Sequence, residues 1–101
     1  MIKYSYKNNE LEVSGHALYA KHGTDIVCAS VSTMIILSSN LIKRFNHHEF
    51  VSINIKEGYF KLTVIKETKE IKTILENLLY SLEELTLEYP NHIKKEWKYV
   101  Y

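Results

Sequence analysis

The sequence predicts an α+β fold in which a mostly antiparallel sheet packs on two helices, in the order β-β-α-β-β-α-β. Three observations carry this. Polar and apolar residues alternate on either side of Asn8-Asn9 and of Glu57-Gly58, as in hairpins. A long apolar run follows Asp25. A stripe at three-and-four spacing runs from Ile71 to Tyr89. No repeat, low-complexity tract or linker interrupts the pattern, and 101 residues suit one domain spanning residues 1–101.

Ile2, Tyr4 and Tyr6 alternate with Lys3, Ser5 and Lys7, then Leu11 and Val13 with Glu10, Glu12 and Ser14. These are strands one and two, and Asn8-Asn9 tolerates the positive φ of a tight turn. His16 falls at the end of strand two, just after Gly15. Residues 17–24 read as a loop, marked by His22-Gly23-Thr24. A helix then runs from residue 25 to about 46, with either Thr24 or Asp25 able to cap it. Its early part is apolar on nearly every side, which predicts central burial or a subunit interface.

Residues 50–57 form a strand with Val51, Ile53 and Ile55 on an apolar face; Glu57-Gly58 turns the chain, and residues 59–65 return. The second helix covers Lys69–Glu88, its apolar stripe opposite Lys72, Glu76, Glu83 and Glu84, and Pro90 ends the helical region. Residues 93–101 read as a last strand or a loose tail, with Ile93, Lys95, Trp97, Tyr99 and Tyr101 on one side.

Thirteen basic and twelve acidic residues leave a net charge of +1, so no basic footprint for direct nucleic-acid binding exists. One cysteine allows no internal disulfide, as expected in a reducing cytoplasm. The N-terminus carries no secretory pattern. The longest apolar block, residues 31–37, is too short to span a bilayer, so no membrane association is expected.

Residues 15–32 concentrate the chemistry: the lone Cys28, two of five histidines, and two of three glycines. A cysteine reacts as thiolate, and a first helical turn favours that anion through its unpaired N–H groups and dipole. With Asp25 as N-cap, Cys28 is the third helical residue. The Asp25 carboxylate then opposes a thiolate by like charge, which makes Asp25 chiefly architectural. A nucleophilic cysteine needs a histidine beside it. His16 and His22 are both candidates; His16 is favoured because a strand anchors it on one side. Acyl transfer then proceeds by thiolate attack on a peptide carbonyl, with N–H groups near the helix start holding the oxyanion. His16 passes its proton to the leaving amine, and water hydrolyses the thioester.

The run Gly15-His16-Ala17, a glycine-containing loop, Asp25-Ile26-Val27-Cys28-Ala29 and then Ser32 resembles the ribosomal-processing cysteine protease family, Prp. The element order agrees over essentially the whole chain, down to Tyr89-Pro90. The resemblance implies a bacterial, typically homodimeric Cys–His peptidase that needs no cofactor. Its substrate is a large-subunit ribosomal protein, from which it removes a short N-terminal extension. By position Cys28 is the nucleophile and His16 its partner, with Gly15, Asp25 and Ser32 in supporting or substrate-binding positions. Leu18 departs from the small residue of that pattern.

Other readings of the same residues are weaker. Ser32 either serves the site or bonds a carbonyl one turn back. His47-His48 complement the first helix's C-terminal dipole or are solvated. No metal is expected, because Cys28, His16 and His22 lack a zinc spacing and a fourth ligand. A non-catalytic ribosome-associated or RNA-binding module is the alternative function, opposed by the near-neutral charge. A redox-sensing thiol would need an intermolecular partner.

Overall fold

A computed structural model of the chain describes residues 1–96. The outer part of the expected last strand, including Trp97, Tyr99 and Tyr101, lies outside the described residues.

The strands are β1 (Ile2–Lys7), β2 (Glu10–Ser14), β3 (Val51–Lys56), β4 (Tyr59–Val64) and β5 (Ile93–Lys95); the helices are α1 (Ile26–Arg44) and α2 (Lys69–Glu88). The sheet order is β3-β4-β2-β1-β5. Three neighbouring pairs are antiparallel, and β5 alone runs parallel to its neighbour β1. Asn8 and Asn9 both adopt positive φ (52° and 63°), the geometry of the two-residue hairpin expected there.

Alternation sets the layers. Tyr4 opposes Val13, Val13 opposes Phe60, and Leu11 opposes Leu62, all buried on one face. The other face carries Lys61, whose ammonium lies 3.5 Å from Glu10, and Tyr59, whose hydroxyl donates to Glu12 at 3.1 Å. An antiparallel sheet with one solvated face reads this way. Both helices cover the apolar face and share its core: α2 contributes Ile71, Ile74, Leu75, Leu78, Leu82 and Leu85, and α1 contributes Val27, Val31, Ile35 and Ile42.

Two expectations need correction. The apolar face of β3 is not covered: only Val51 is buried, and Ile55 is 62% exposed although it points the same way as buried Phe60. Ile55 instead lines a cavity that also borders Ile35 and Ile36 of α1. Also, α1 is by length and composition apolar enough to cross a membrane, contrary to the reading of residues 31–37 as the limiting block. Its hydroxyls fold back, with Ser30, Thr33 and Ser38 donating to carbonyls four residues earlier. In this fold one stripe of that helix packs into the core.

The end of α1 departs from the sequence reading too. Asn46 takes positive φ, and the N–H groups of Asn46 and His47 return to the carbonyls of Lys43 and Ile42, the Schellman arrangement. His47 is neither solvated nor a simple dipole complement. Its Nδ1 hydrogen-bonds Thr68 Oγ1 at 2.9 Å, and its ring packs against Phe50. The first helix is thereby tied to the cap of the second.

Candidate active site

Asp25 organises the mouth of α1. Its Oδ1 accepts the N–H groups of Val27 and Cys28, each at 3.0 Å, as an N-cap does. Its Oδ2 reaches the other way and accepts from Tyr19 (2.9 Å) and Ala20 (3.1 Å) in the loop. Between the two caps open to the sequence reading, the side chain of Asp25 takes the role, while the Thr24 hydroxyl donates to the Lys21 carbonyl instead. The carboxyl is buried, which by itself disfavours the charged form. The four N–H donors of Cys28, Ala20, Tyr19 and Val27 outweigh that and hold it below the ordinary carboxylate range.

Cys28 sits half-buried in the first turn of α1, and its Sγ accepts the Ala17 N–H at 3.3 Å. The helix-mouth amides expected to serve an oxyanion are already occupied: Val27 and Cys28 donate to the Asp25 side chain, and Ala29 to the Asp25 carbonyl. The Ala17 N–H is the donor that faces the sulfur.

His16 lies across a cavity from Cys28. The cavity is about 660 Å³ and runs between the first half of α1 and the end of the β3–β4 hairpin, with the 16–23 loop as its third wall. His16 packs over Gly58, where a Cβ would lie 2.8 Å from the imidazole Nε2. Gly58 therefore does more than turn the hairpin, at φ +68°: its missing side chain is the space the ring occupies. The sequence marked Gly58 only as a turn, and no local signal links it to a histidine 42 positions earlier. No hydrogen bond joins His16 to Cys28 among the described residues.

Gly15 also serves a close approach. At φ +96° it donates its N–H to the Gly58 carbonyl at 2.9 Å, and a Cβ there would collide with the Met1 carbonyl. Strand two thus ends pinned beside the hairpin, which aims His16 at the cavity.

Ser32 lies one turn beyond Cys28 on the same cavity wall, followed by Ile35 and Ile36. Among the described residues its hydroxyl makes no bond to the preceding turn, unlike those of Ser30, Thr33 and Ser38. His22 lines the cavity as well, so both candidate histidines reach it. Leu18 forms part of the loop wall at φ +55°, a left-handed conformation that a leucine adopts at a cost, and its side chain is 77% exposed. Among the described residues no cluster of three His, Cys, Asp or Glu side chains could hold a metal ion.

An apolar groove with a helix-mouth thiol on one wall and an imidazole on another suits covalent chemistry on a peptide. Comparison with known proteins agrees. A family model described as cysteine protease Prp matches residues 1–94. The ribosomal processing cysteine protease Prp of Mycoplasma pneumoniae is 35% identical over 100 residues, 95% of this chain and 94% of the relative. The crystal structure of the ribosomal processing protease Prp from S. aureus with a covalently linked product peptide is similar at a TM-score of 0.82 and 26% identity, covering 96% of this chain and 97% of that one. The S. aureus protease with a substrate peptide is similar at 0.78 and 26%, with the same coverage. With a family model matched over residues 1–94, a relative 35% identical over nearly the full chain and a fold shared over 96% of it, this chain belongs to the cysteine protease Prp family.

Proposed function

We propose that this chain is a cytoplasmic cysteine endopeptidase that removes an N-terminal extension from a large-subunit ribosomal protein, with Cys28 as nucleophile and His16 as its proton partner. The observation that carries the reading is the shared cavity: Cys28, His16 and Ser32 all line one groove of about 660 Å³. The names of the relatives, which are ribosomal processing proteases, supply the substrate.

In the reaction the Cys28 thiolate, held by the Ala17 N–H, attacks the scissile carbonyl. The C–N bond breaks as the His16 imidazolium gives its proton to the leaving amine. His16 then takes a proton from water, the hydroxide attacks the thioester, and the acid product leaves with the thiol restored. His16 and Cys28 come into contact when a peptide fills the groove, since catalytic hydrogen bonds are commonly long in a free enzyme. Gly15 and Asp25 hold the strand end and helix mouth in place, and the Ser32 hydroxyl bonds the peptide backbone.

A second copy of this chain covers the apolar surface that the fold leaves open. Leu37 and Leu41 on α1 and Phe45 at its C-cap, four residues apart along one stripe, are all exposed, Leu37 at 64%. A contiguous apolar patch of this kind is the mark of an interface. Light scattering then reads a dimer, and Leu37→Asp reads a monomer.

The enzymatic reading is tested with the extended ribosomal protein of the same genome. Wild-type protein cleaves it; Cys28→Ala lowers the rate by at least about 10³-fold and His16→Ala by about 10²- to 10⁴-fold, with both variants folded. Undiminished cleavage by Cys28→Ala overturns the mechanism.

A further inference from the structure

One of the residues that anchor Ala17 beside Cys28 comes from the far end of the chain. His92 lies between α2 and β5, and its Nδ1 is 3.0 Å from the Ala17 carbonyl. A carbonyl oxygen only accepts, so this contact fixes the proton on Nδ1. The same Ala17 residue turns its N–H onto Cys28 Sγ at 3.3 Å. Ala17 is otherwise in coil, 1% exposed, with no strand or helix ladder to orient its two polar groups. The two groups belong to successive peptide units: the unit carrying the N–H is held by Cys28 and, at the His16 carbonyl, by the Met1 amino terminus, and the unit carrying the Ala17 carbonyl is held by His92.

His92 is itself well held. Its N–H donates to the Tyr89 carbonyl at 3.0 Å, and its carbonyl accepts from Ile2 at 2.9 Å. Its ring meets Tyr19 edge-on with centroids 5.2 Å apart, and Tyr19 meets Tyr89 in the same way at 5.3 Å. Tyr19 in turn donates its N–H to Asp25. The loop between His16 and Cys28 is thus gripped at Ala17 from the α2–β5 junction and at Tyr19 and Ala20 from the helix cap. His92 does not line the groove, so it has no peptide contact to make.

We propose that His92 is a positioning residue for Cys28: by donating Nδ1–H to the Ala17 carbonyl it fixes Ala17 on the side away from Met1, keeps the Ala17 N–H on the sulfur, and so favours the anionic form of the thiol that attacks. The role rests on Cys28 being the nucleophile proposed above. It differs from a packing role because it depends on one donor rather than on the ring. His92→Phe keeps an aromatic ring for Tyr19 and removes the donor. His92→Asn loses the ring and restores a donor at the position of Nδ1.

The test reads the thiol directly. Cys28 alkylation by iodoacetamide at neutral pH is followed by mass spectrometry in wild type, His92→Phe and His92→Asn, alongside kcat and KM on an extended ribosomal-protein peptide. His92→Phe slows alkylation and lowers kcat by about 5- to 20-fold, with KM unchanged, and His92→Asn recovers most of both. Alkylation of His92→Phe at the wild-type rate overturns the assignment, and so does equal slowing in both variants, which marks ring packing as the cause. Should either variant fail to fold, long-range ¹H–¹⁵N spectra of the wild-type protein decide: an Nδ1–H tautomer at His92 upholds the contact, and an Nε2–H tautomer removes it. If wild-type protein alkylates as described yet cleaves no ribosomal-protein peptide, the substrate reading fails while the role of His92 stands.

Discussion

The two helices are nearly equal in length, 19 and 20 residues, and lie on the same face of one sheet, yet they are built for different work. α2 has a single stripe: six residues are buried in the core, and the rest of its surface is mainly charged and polar. α1 buries only four and leaves Ile26, Ile36, Leu37, Leu41 and Phe45 exposed. Their caps differ in the same sense. Thr68 accepts one helix N–H, from Ile71, while Asp25 gathers four amides from the helix and the loop. α2 uses its apolar residues to hold the fold. α1 carries more than folding needs: Ile36 lines the groove that holds Cys28, and Leu37 and Leu41 lie exposed beside it on the helix. Apolar residues beyond what one buried stripe requires point to surface kept for a partner.

The sharpest way to break this contrast is to truncate one leucine on each helix. Leu78→Ala in α2 removes a side chain that is 1% exposed and costs about 2–5 kcal/mol in urea unfolding. Leu37→Ala in α1 costs the protomer less than about 1 kcal/mol, because little of it is buried. Equal losses from the two, measured below the concentration at which copies associate, would show that α1 is as much a core helix as α2.

The caps offer a smaller difference. Thr68→Ala costs about 1 kcal/mol, the ordinary value of an N-cap. Asp25→Ala costs about 2–3 kcal/mol, since the loop amides of Tyr19 and Ala20 lose their acceptor together with the helix. Protease nicking in residues 17–24 should rise in Asp25→Ala alone.

The acid limb of stability separates the same caps. The folded protein holds the Asp25 carboxyl below its usual range against its burial, through the Cys28, Ala20, Tyr19 and Val27 amides. The unfolded chain releases it to the ordinary value, so in acid the unfolded state binds the extra proton. The contribution is complete above the usual carboxylate range and is lost as pH falls through that range toward the lowered value. Unfolding followed downward through the carboxylate range should therefore show a shallower acid loss in Asp25→Asn than in wild type, and Thr68→Ala, which removes no carboxyl, should keep the wild-type slope over that range.

Leu18 gives the smallest effect. Glycine relieves the left-handed backbone at φ +55° but adds freedom to the unfolded chain, and the two nearly cancel. Leu18→Gly should shift stability by less than about 1 kcal/mol by calorimetry. A loss above about 2 kcal/mol would mean that the exposed side chain packs where the structure leaves it in solvent.

Most of the fold was legible because period-two and three-and-four patterns are local. The Asn8-Asn9 turn, the strands, the α2 span and Asp25 as one of two possible caps all follow from a few neighbouring residues. The parallel pairing of β5 with β1 was not legible, since it joins segments 91 positions apart with no turn between them. Exposure of β3's apolar face was hidden for a related reason: alternation tells which residues share a face, not whether a helix covers it.

The site divides along the same line. By itself the sequence determined the candidates: one thiol in a first helical turn, a carboxylate able to cap that helix, a serine one turn on and two histidines within reach, between which the family resemblance and not spacing chose His16. A cap and a helix face are set within four residues, so local spacing suffices for the first three. Only the tertiary structure decided that Asp25 occupies the helix-mouth amides, that Ala17 turns its N–H to the sulfur, that His16 lies over Gly58, and that His92 reaches back to Ala17. Those contacts depend on angles and distances between elements far apart in the chain, and they are fixed only when the sheet and helices close on their common core.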